Sequence, residues 1–411
     1  MPLVDPARFL ACFNTFSAIG GLPNGGLDRP TLSDADKAAR DLLAEIFKAE
    51  GFRLMVDAIG NMFGILDLAG EDAPAIMTGS HLDSQPTAGR FDGQLGVVAG
   101  LQAAIAVRDA CKRGEILPTH NLVVVNWTNE EGARFQPSLL GSGVYTGQRT
   151  LEESLRPRDQ DGRSVAEELA RIAYAGSDAD LPFPAAYLEL HIEQSTVMEK
   201  SGQRLGAFID QWGAFKFQVA FHGRQAHTGP TAMEDRRDAM LAAGHLITAV
   251  RGLYEAAAGT LYTSVARLEI DPNSPNTVPS LVIAHVELRS PDAAILETAE
   301  AGLMRAIEVA AEAAGVTFEL RRAERRGIRQ FSQDLFALAE REAAAMGERF
   351  ARLHCATAHD GSMMTLLGPA LVLTIPCRDG ITHHPDEFAS DADMVLGTEH
   401  LARMLSVLVT D

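Results

Sequence analysis

Imidazole and carboxylate side chains recur in this sequence at the points where apolar runs end. His81 follows such a run in GSHLDS, with Asp83 two residues on and Asp92 in RFDG. LVVVNW leads to Asn129-Glu130-Glu131-Gly132, AAYLEL to His191-Ile192-Glu193-Gln194, and ALVLTIPC to Gly380-Ile381-Thr382-His383-His384. If these runs are strands of an open α/β sheet, a ligand binds outside their carboxyl ends. Donors from four strands then converge. Imidazole and carboxylate without thiolate suit zinc, manganese or cobalt in a hydrolytic centre rather than a structural zinc knot. One such residue alone reads as a hydrogen-bonded loop residue; the set does not. Glu130 and Glu131 are adjacent acids that raise each other's pKa, which makes sense where one meets a cation and the other works on a proton.

The elements that must position these residues follow from periodicity. Residues 31–51 carry helix signals: Ser33 with Asp36 three positions on resembles a capping box, Leu42, Leu43, Ile46 and Phe47 form a stripe, and Gly51 is a stop. Strand-like runs lie at 52–56, 62–68, 75–78, 122–127 and 186–192, with helical spacing at 95–112. The alternation predicts helices packed on a largely parallel sheet. The pattern changes near Trp212. A strand (214–221), a helix (about 234–257), two strands (261–268, 281–288), a helix (293–314) and a strand (316–321) give the β-α-β-β-α-β order of a ferredoxin-like unit. The expected organisation is a domain of residues 1–210 and 328–411, interrupted by a second domain at 211–327 with hinges near Gly213 and Arg326-Gly327. A strand at 370–376 and a final helix ending at Val409 complete the first domain.

Composition narrows the partners. The 411 residues carry 36 basic and 55 acidic side chains, a formal charge of −19, which disfavours nucleic acid and anionic lipid surfaces. No apolar run approaches the ~20 residues of a membrane span, and the start lacks the pattern of a secretory signal. The cysteines Cys12, Cys111, Cys355 and Cys377 are far apart, as expected of reduced thiols in a cytoplasmic protein. No GxSxG elbow or HExxH helix occurs, and the glycines at 141–147 lack the spacing of a dinucleotide turn.

The segments GSHLDSQPTAGRFDG, NEEGARF, HIEQ, GRQAHTGPTAMEDRRDA, PNTVP, LRSPD, AHDGSMM and GITHHPDEF resemble, in order and spacing, the hydantoinase/carbamoylase family of dinuclear metal amidohydrolases. That group includes N-carbamoyl-L-amino-acid hydrolases, allantoate amidohydrolases and β-ureidopropionases, within the larger aminoacylase-like peptidase clan. The resemblance implies an α/β fold: a di-metal aminopeptidase-like catalytic domain with an inserted α+β ferredoxin-like domain that serves as lid and dimerisation unit. It also implies two divalent ions per subunit, Zn²⁺ in the first instance with Mn²⁺ or Co²⁺ as alternatives. Asp92 would bridge them, His81 and His191 completing one site and Glu131 and His383 the other. Glu130 would be the general base for the water between the metals, and Asp83 would accept the free N–H of His81.

His227 would help hold the oxyanion. Gln194, Asn276 and Arg289 would grip a substrate carboxylate, a task suited to the planar guanidinium. The implied reaction is hydrolysis of an N-carbamoyl-L-amino acid to the amino acid, CO₂ and ammonia, with allantoate, N-carbamoyl-β-alanine or an N-acyl amino acid as alternatives. The implied partners are a small carboxylate-bearing substrate and a second copy of the chain. Ser195, where the family has Gly after HIEQ, and Ala88, where it has a second Gly in the turn, depart from the pattern. So does His384 in the TxHHP run.

Overall fold

The computed structural model describes residues 3–410. The chain divides into two compact units. One contains the residues up to Ile209, Gln330–Leu353 and the chain from Ala358 onward; the other contains Asp210–Arg329 with His354–Thr357. Through the first unit run β1 (Arg53–Val56), β2 (Met62–Leu66), β3 (Ala75–His81), β4 (Asn121–Trp127), β5 (Pro184–Ile192) and β6 (Leu205–Gln211). Then come β7 (Gly213–His222), β8 (Ala226–His227), β9 (Tyr262–Asp271), β10 (Thr277–Val278), β11 (Leu281–Ser290) and β12 (Thr317–Arg326). The chain returns through β13 (Arg329–Gln330), β14 (Phe350–Cys355) and β15 (Ala370–Ile375).

The large sheet has the order β1-β2-β4-β3-β5-β15-β6-β13, with β14 also on β6. Only its centre is parallel: β4 with β3, β3 with β5, and β5 with β15. β1 and β2 run antiparallel to each other, β2 runs antiparallel to β4, and β6 runs antiparallel to β15. The expectation of a largely parallel sheet is therefore corrected to a mixed one. β1 and β2 fall in the runs marked at 52–56 and 62–68, where local spacing does not reveal strand direction, whereas β6 and β14 lie outside the runs read as strands. The helix Gln94–Lys112 is buried almost all round, between the sheet and the C-terminal helix Asp391–Leu408. Its apolar content on every side follows from that position.

The helix Asp34–Glu50 starts and stops at its sequence signals. Ser33 accepts from the Asp36 amide at 3.1 Å, and Gly51 closes the helix with φ 78°. The box is not reciprocal, because the Asp36 carboxylate accepts from the Leu32 amide at 2.7 Å and from Arg40 Nε at 2.9 Å. Arg40 continues to the Gly60 carbonyl (2.6 Å) and the Thr128 hydroxyl (3.2 Å). This fully buried pair thus ties the helix to the end of β4, just before Glu130.

In the second unit the sheet order β12-β7-β11-β9 is antiparallel throughout. In order of appearance that is 4-1-3-2, the ferredoxin-like arrangement. The helices Ala239–Ala256 and Ala293–Ala314 cover one face, burying Phe217, Val219, Leu246, Leu288 and Leu303. The first of them begins later than its periodicity suggests. Asp238 caps it by accepting from Met240 and Leu241 amides, and Met233–Asp235 form a separate 3₁₀ turn. Among the described residues no helix is long and apolar enough to cross a membrane.

Replacing Arg40 by alanine leaves Asp36 buried without its cation, so urea unfolding should show a loss of about 3 kcal/mol or more. An unchanged midpoint would mean that the pair contributes nothing net.

Candidate metal centre

The parallel strands end together because they are in register: His81 of β3 lies opposite Trp127 of β4, and His191 of β5 opposite Thr374 of β15. Glu130 and Glu131 follow β4, and His383 follows β15. Asp92 stands at the centre. Its Oδ1 lies 3.0 Å from His191 Nε2 and 3.5 Å from His81 Nε2, and its Oδ2 lies 3.4 Å from His383 Nε2. Glu131 Oε2 is 3.3 Å from the same His383 nitrogen. Two donor sets, His81-Asp92-His191 and Asp92-Glu131-His383, therefore share one carboxylate. Glu130 Oε2 is 3.4 Å from His81 Nε2 and belongs to neither set.

The imidazoles are prepared as metal ligands. His81 Nδ1–H donates to the Asp83 carbonyl at 2.8 Å and His191 Nδ1–H to the Ile192 carbonyl at 2.9 Å. A carbonyl can only accept, so Nδ1 keeps its proton and Nε2 is the nitrogen that faces Asp92. Burial disfavours the charged form of both rings, but the surrounding carboxylates raise their pKa against it, so a metal would take the place of the Nε2 proton. Both Nε2 atoms are buried without a hydrogen-bond partner. Such orphans cost free energy unless a cation meets them.

Asp83 accepts the His81 N–H as expected, but through its main-chain carbonyl and not its carboxylate. Its carboxylate is 3.8 Å from His81 Nδ1 and instead accepts from the amides of Glu130 (3.2 Å) and Glu131 (3.4 Å). The main-chain carbonyl orients the imidazole, and the side chain holds the acidic loop. The sequence reading could not separate two acceptors of one residue.

Close packing fixes the rest. Gly93 has φ 66°, and a Cβ there would lie 2.2 Å from the His81 ring. Glu387 accepts from the amides of Phe91 (2.9 Å) and Asp92 (3.0 Å), and a Cβ on Gly89 would collide with it at 2.3 Å. Gln85 donates to Glu131 Oε2 at 3.0 Å. Glu387 and Gln85 lie inside segments that carry the resemblance, yet nothing in their types marks them as supports. Gln194 donates to Asp92 Oδ2 at 2.8 Å. Ser195 gives its hydroxyl to Glu193, Ala88 bridges to Leu27, and His384 Nδ1 accepts from the Asp386 amide, so none of the departures removes a donor from the two sets.

The pocket holds more buried acid than it can ionise. Burial pushes the Glu130 carboxyl well above its usual range; the His81 charge opposes this, while Asp360, Glu131 and Asp92 add to it. Burial and the Asp92 charge push Glu131 up to about 7. Burial works against Asp92 as well, but His191, His383 and His81 hold it well below the carboxylate range. The bond to Asp92 lifts His383 to about 9 against its burial. Divalent cations are the natural neutralisers of such a set. Behind it, His359 packs against His191 (ring centroids 4.2 Å) and Phe208, and burial with the His191 charge keeps it neutral. Asp360 accepts from Ser142.

The other three candidates lie in the second unit. His227 pairs with Thr277 across β8 and β10, beside Asn276, whose carbonyl accepts from the Thr228 amide at 3.2 Å. His227 Nδ1 accepts from the Gly229 amide at 3.0 Å, which leaves Nε2–H as the donor. Arg289 is bound to Glu287 (2.9 Å) and to the Ala356 carbonyl.

Two donor sets on either side of one aspartate, on a parallel-centred α/β sheet, define a two-metal hydrolase. Residues 77–407 match the peptidase family M20/M25/M40, and the chain belongs to that family, in its hydantoinase/carbamoylase group. A Rhizobium meliloti protein named N-carbamoyl-L-amino-acid amidohydrolase is 34% identical over 93% of this chain and 92% of its own. An Arabidopsis thaliana protein named ureidoglycolate hydrolase is 30% identical over 99% and 87%. The crystal structure of a hydantoinase/carbamoylase family amidase from Burkholderia vietnamiensis superposes with a TM-score of 0.91 at 35% identity, over 99% of this chain and 98% of that one. The chain is thus an amidohydrolase acting on carbon–nitrogen bonds other than peptide bonds.

Metal binding must displace protons from Glu131 and His383, whose values are about 7 and 9. Apparent Zn²⁺ affinity should therefore rise from about pH 6 to about pH 9. Calorimetry in buffers of different ionisation enthalpy should show net proton release at pH 7; zero release would contradict the electrostatics above. Glu387→Ala should weaken metal binding about 10- to 100-fold in equilibrium dialysis, as loss of a support behind a ligand does.

Proposed function

We propose that the chain hydrolyses an N-carbamoyl-L-amino acid to the amino acid, carbon dioxide and ammonia, with two divalent ions, Zn²⁺ first and Mn²⁺ or Co²⁺ as alternatives. What carries the reading is the sharing of Asp92 between two donor sets, with Glu130 beside them and outside both. Ions held there supply Lewis acidity toward the ureido carbonyl and lower the pKa of water. Glu130 takes the proton of the attacking water and hands it to the amino acid nitrogen as the C–N bond breaks. The other fragment, carbamic acid, decomposes to carbon dioxide and ammonia. Asp83 keeps Glu130 in place through its amide.

In this reading His227 gives its Nε2–H to the developing oxyanion, and Arg289 and Asn276 take the substrate carboxylate. Gln194, which donates to Asp92, would share in the grip on that carboxylate. The inserted unit is the lid and the contact for a homodimer, and the compartment is the cytoplasm. The R. meliloti relative's name supports the substrate class. The A. thaliana relative, matched over nearly the whole chain, supports a second reading in which the substrate is a ureido acid, and a Bacillus subtilis relative named allantoate amidohydrolase makes allantoate the example to test.

A panel of N-carbamoyl-L-amino acids, N-carbamoyl-β-alanine, allantoate and N-acetyl amino acids with each metal, scored by kcat/KM, separates these. The carbamoyl-α-amino acids should lead; turnover of allantoate alone would transfer the mechanism to the second reading. Glu130→Gln should keep its metal and lose about 10²- to 10⁴-fold in kcat.

A further inference from the structure

At one end of the second unit's sheet, register aligns four residues from four strands. Tyr262 of β9 pairs with Arg289 of β11, Arg289 with Ala214 of β7, and Ala214 with Arg326 of β12. Residues in register point to the same face. The neighbouring row contains Leu288 and Phe215, which pack into the core beneath the helices. The arginine row therefore lies on the face without helices. Ala214, between the two arginines, has only a methyl group and does not fill the gap, and the arginine Cα atoms are two strand spacings apart, about 9.6 Å. Extended guanidinium groups can converge across that distance.

The row is rich in donors and poor in acceptors. Arg289 is held by Glu287 and the Ala356 carbonyl. Arg326 makes no ion pair among the described residues, and its Nε is buried without a partner. Burial and the Arg289 charge lower its pKa, and the Glu324 and Glu287 charges oppose them without forming an ion pair with it. The Trp212 indole N–H is also buried without an acceptor, its ring 4.8 Å from that of Tyr262 at the other end of the row. A buried unpaired cation costs free energy that an anion restores.

We propose that Arg326 and Arg289 form a paired anion subsite for a substrate with two carboxylates, an N-carbamoyl derivative of an acidic amino acid, one carboxylate on each guanidinium. The proposal rests on the reading above that Arg289 takes the substrate carboxylate, and it names the side chain that the substrate carries. Arg326 is the residue that decides specificity; Glu287 is the counter-ion that the incoming carboxylate shares or replaces.

The test compares N-carbamoyl-L-glutamate with its near-isostere N-carbamoyl-L-glutamine. Wild type should favour the acid by about tenfold or more in kcat/KM. Arg326→Met should lower that ratio about tenfold through KM, Arg326→Gln should do the same, and Arg326→Lys should restore part of it. A wild type without preference for the acid, or an equal ratio in wild type and both neutral variants, overturns the subsite. Glutarate binding to the metal-loaded enzyme by calorimetry reads Arg326 without turnover and should weaken about tenfold in Arg326→Met. If neither carbamoyl compound is cleaved while glutarate still depends on Arg326, the reaction assigned above fails and the subsite stands; glutarate affinity indifferent to Arg326 removes the subsite alone.

Discussion

One carboxylate governs the catalytic unit. Asp92 can serve two ions only if its two oxygens face two separate donor sets at once, and that demands a backbone fixed on every side. Glu387 holds the Phe91 and Asp92 amides, Gln194 holds one carboxylate oxygen, and Gly93 has no Cβ so that the His81 ring can lie against the turn. Each support comes from a different segment. The site is therefore a property of the assembled sheet ends and of no single loop.

Beneath the donors lies a buried polar layer that keeps the strand ends aligned. Glu189 of β5 accepts from the Ser80 hydroxyl of β3 at 2.6 Å and from the Gly361 amide at 2.8 Å, while Tyr187 joins the Gly79 carbonyl and the Trp127 indole. Arg29, fully buried, donates to the Leu82 carbonyl and to Gln94, bracketing the His81 turn and the helix after Asp92. A half-satisfied layer would be costly in so dry a place; most of its groups are paired, which gives the donors one arrangement. The acids facing the ions are the exception. Their raised pKa values express an electrostatic debt that metal binding relieves.

Much of this was legible in sequence because periodicity and strand-end chemistry are local. The helix at 31–51, the runs ending at His81 and His191, and the β-α-β-β-α-β order all lie where apolar spacing places them. What was not legible depends on partners distant in the chain or on main-chain atoms. The Asp83 carboxylate turned out to hold the Glu130 loop and its carbonyl the His81 ring, a choice made by the fold of the turn. β6 was missed because its pairing with strands far along the chain outweighs a weak local pattern, whereas β14 alternates buried and exposed residues and carried a signal that went unread. Glu387 reads as an ordinary acid in PDEF until it meets an amide nearly 300 positions earlier.

Sequence by itself determined which chemistry is available: imidazoles and carboxylates at strand ends, no thiolate set, no serine elbow, and a cationic residue at the end of a strand in the inserted segment. Tertiary structure alone decided how those groups divide. It gave the Asp83 carbonyl to His81 and the Asp83 carboxylate to the Glu130 loop, turned Glu387 onto the Asp92 amide, and set Arg326 in a row with Arg289. The physical reason is that residue type fixes charge and donor capacity, whereas distance, burial and the direction of a lone pair exist only once strands remote in the chain stand side by side.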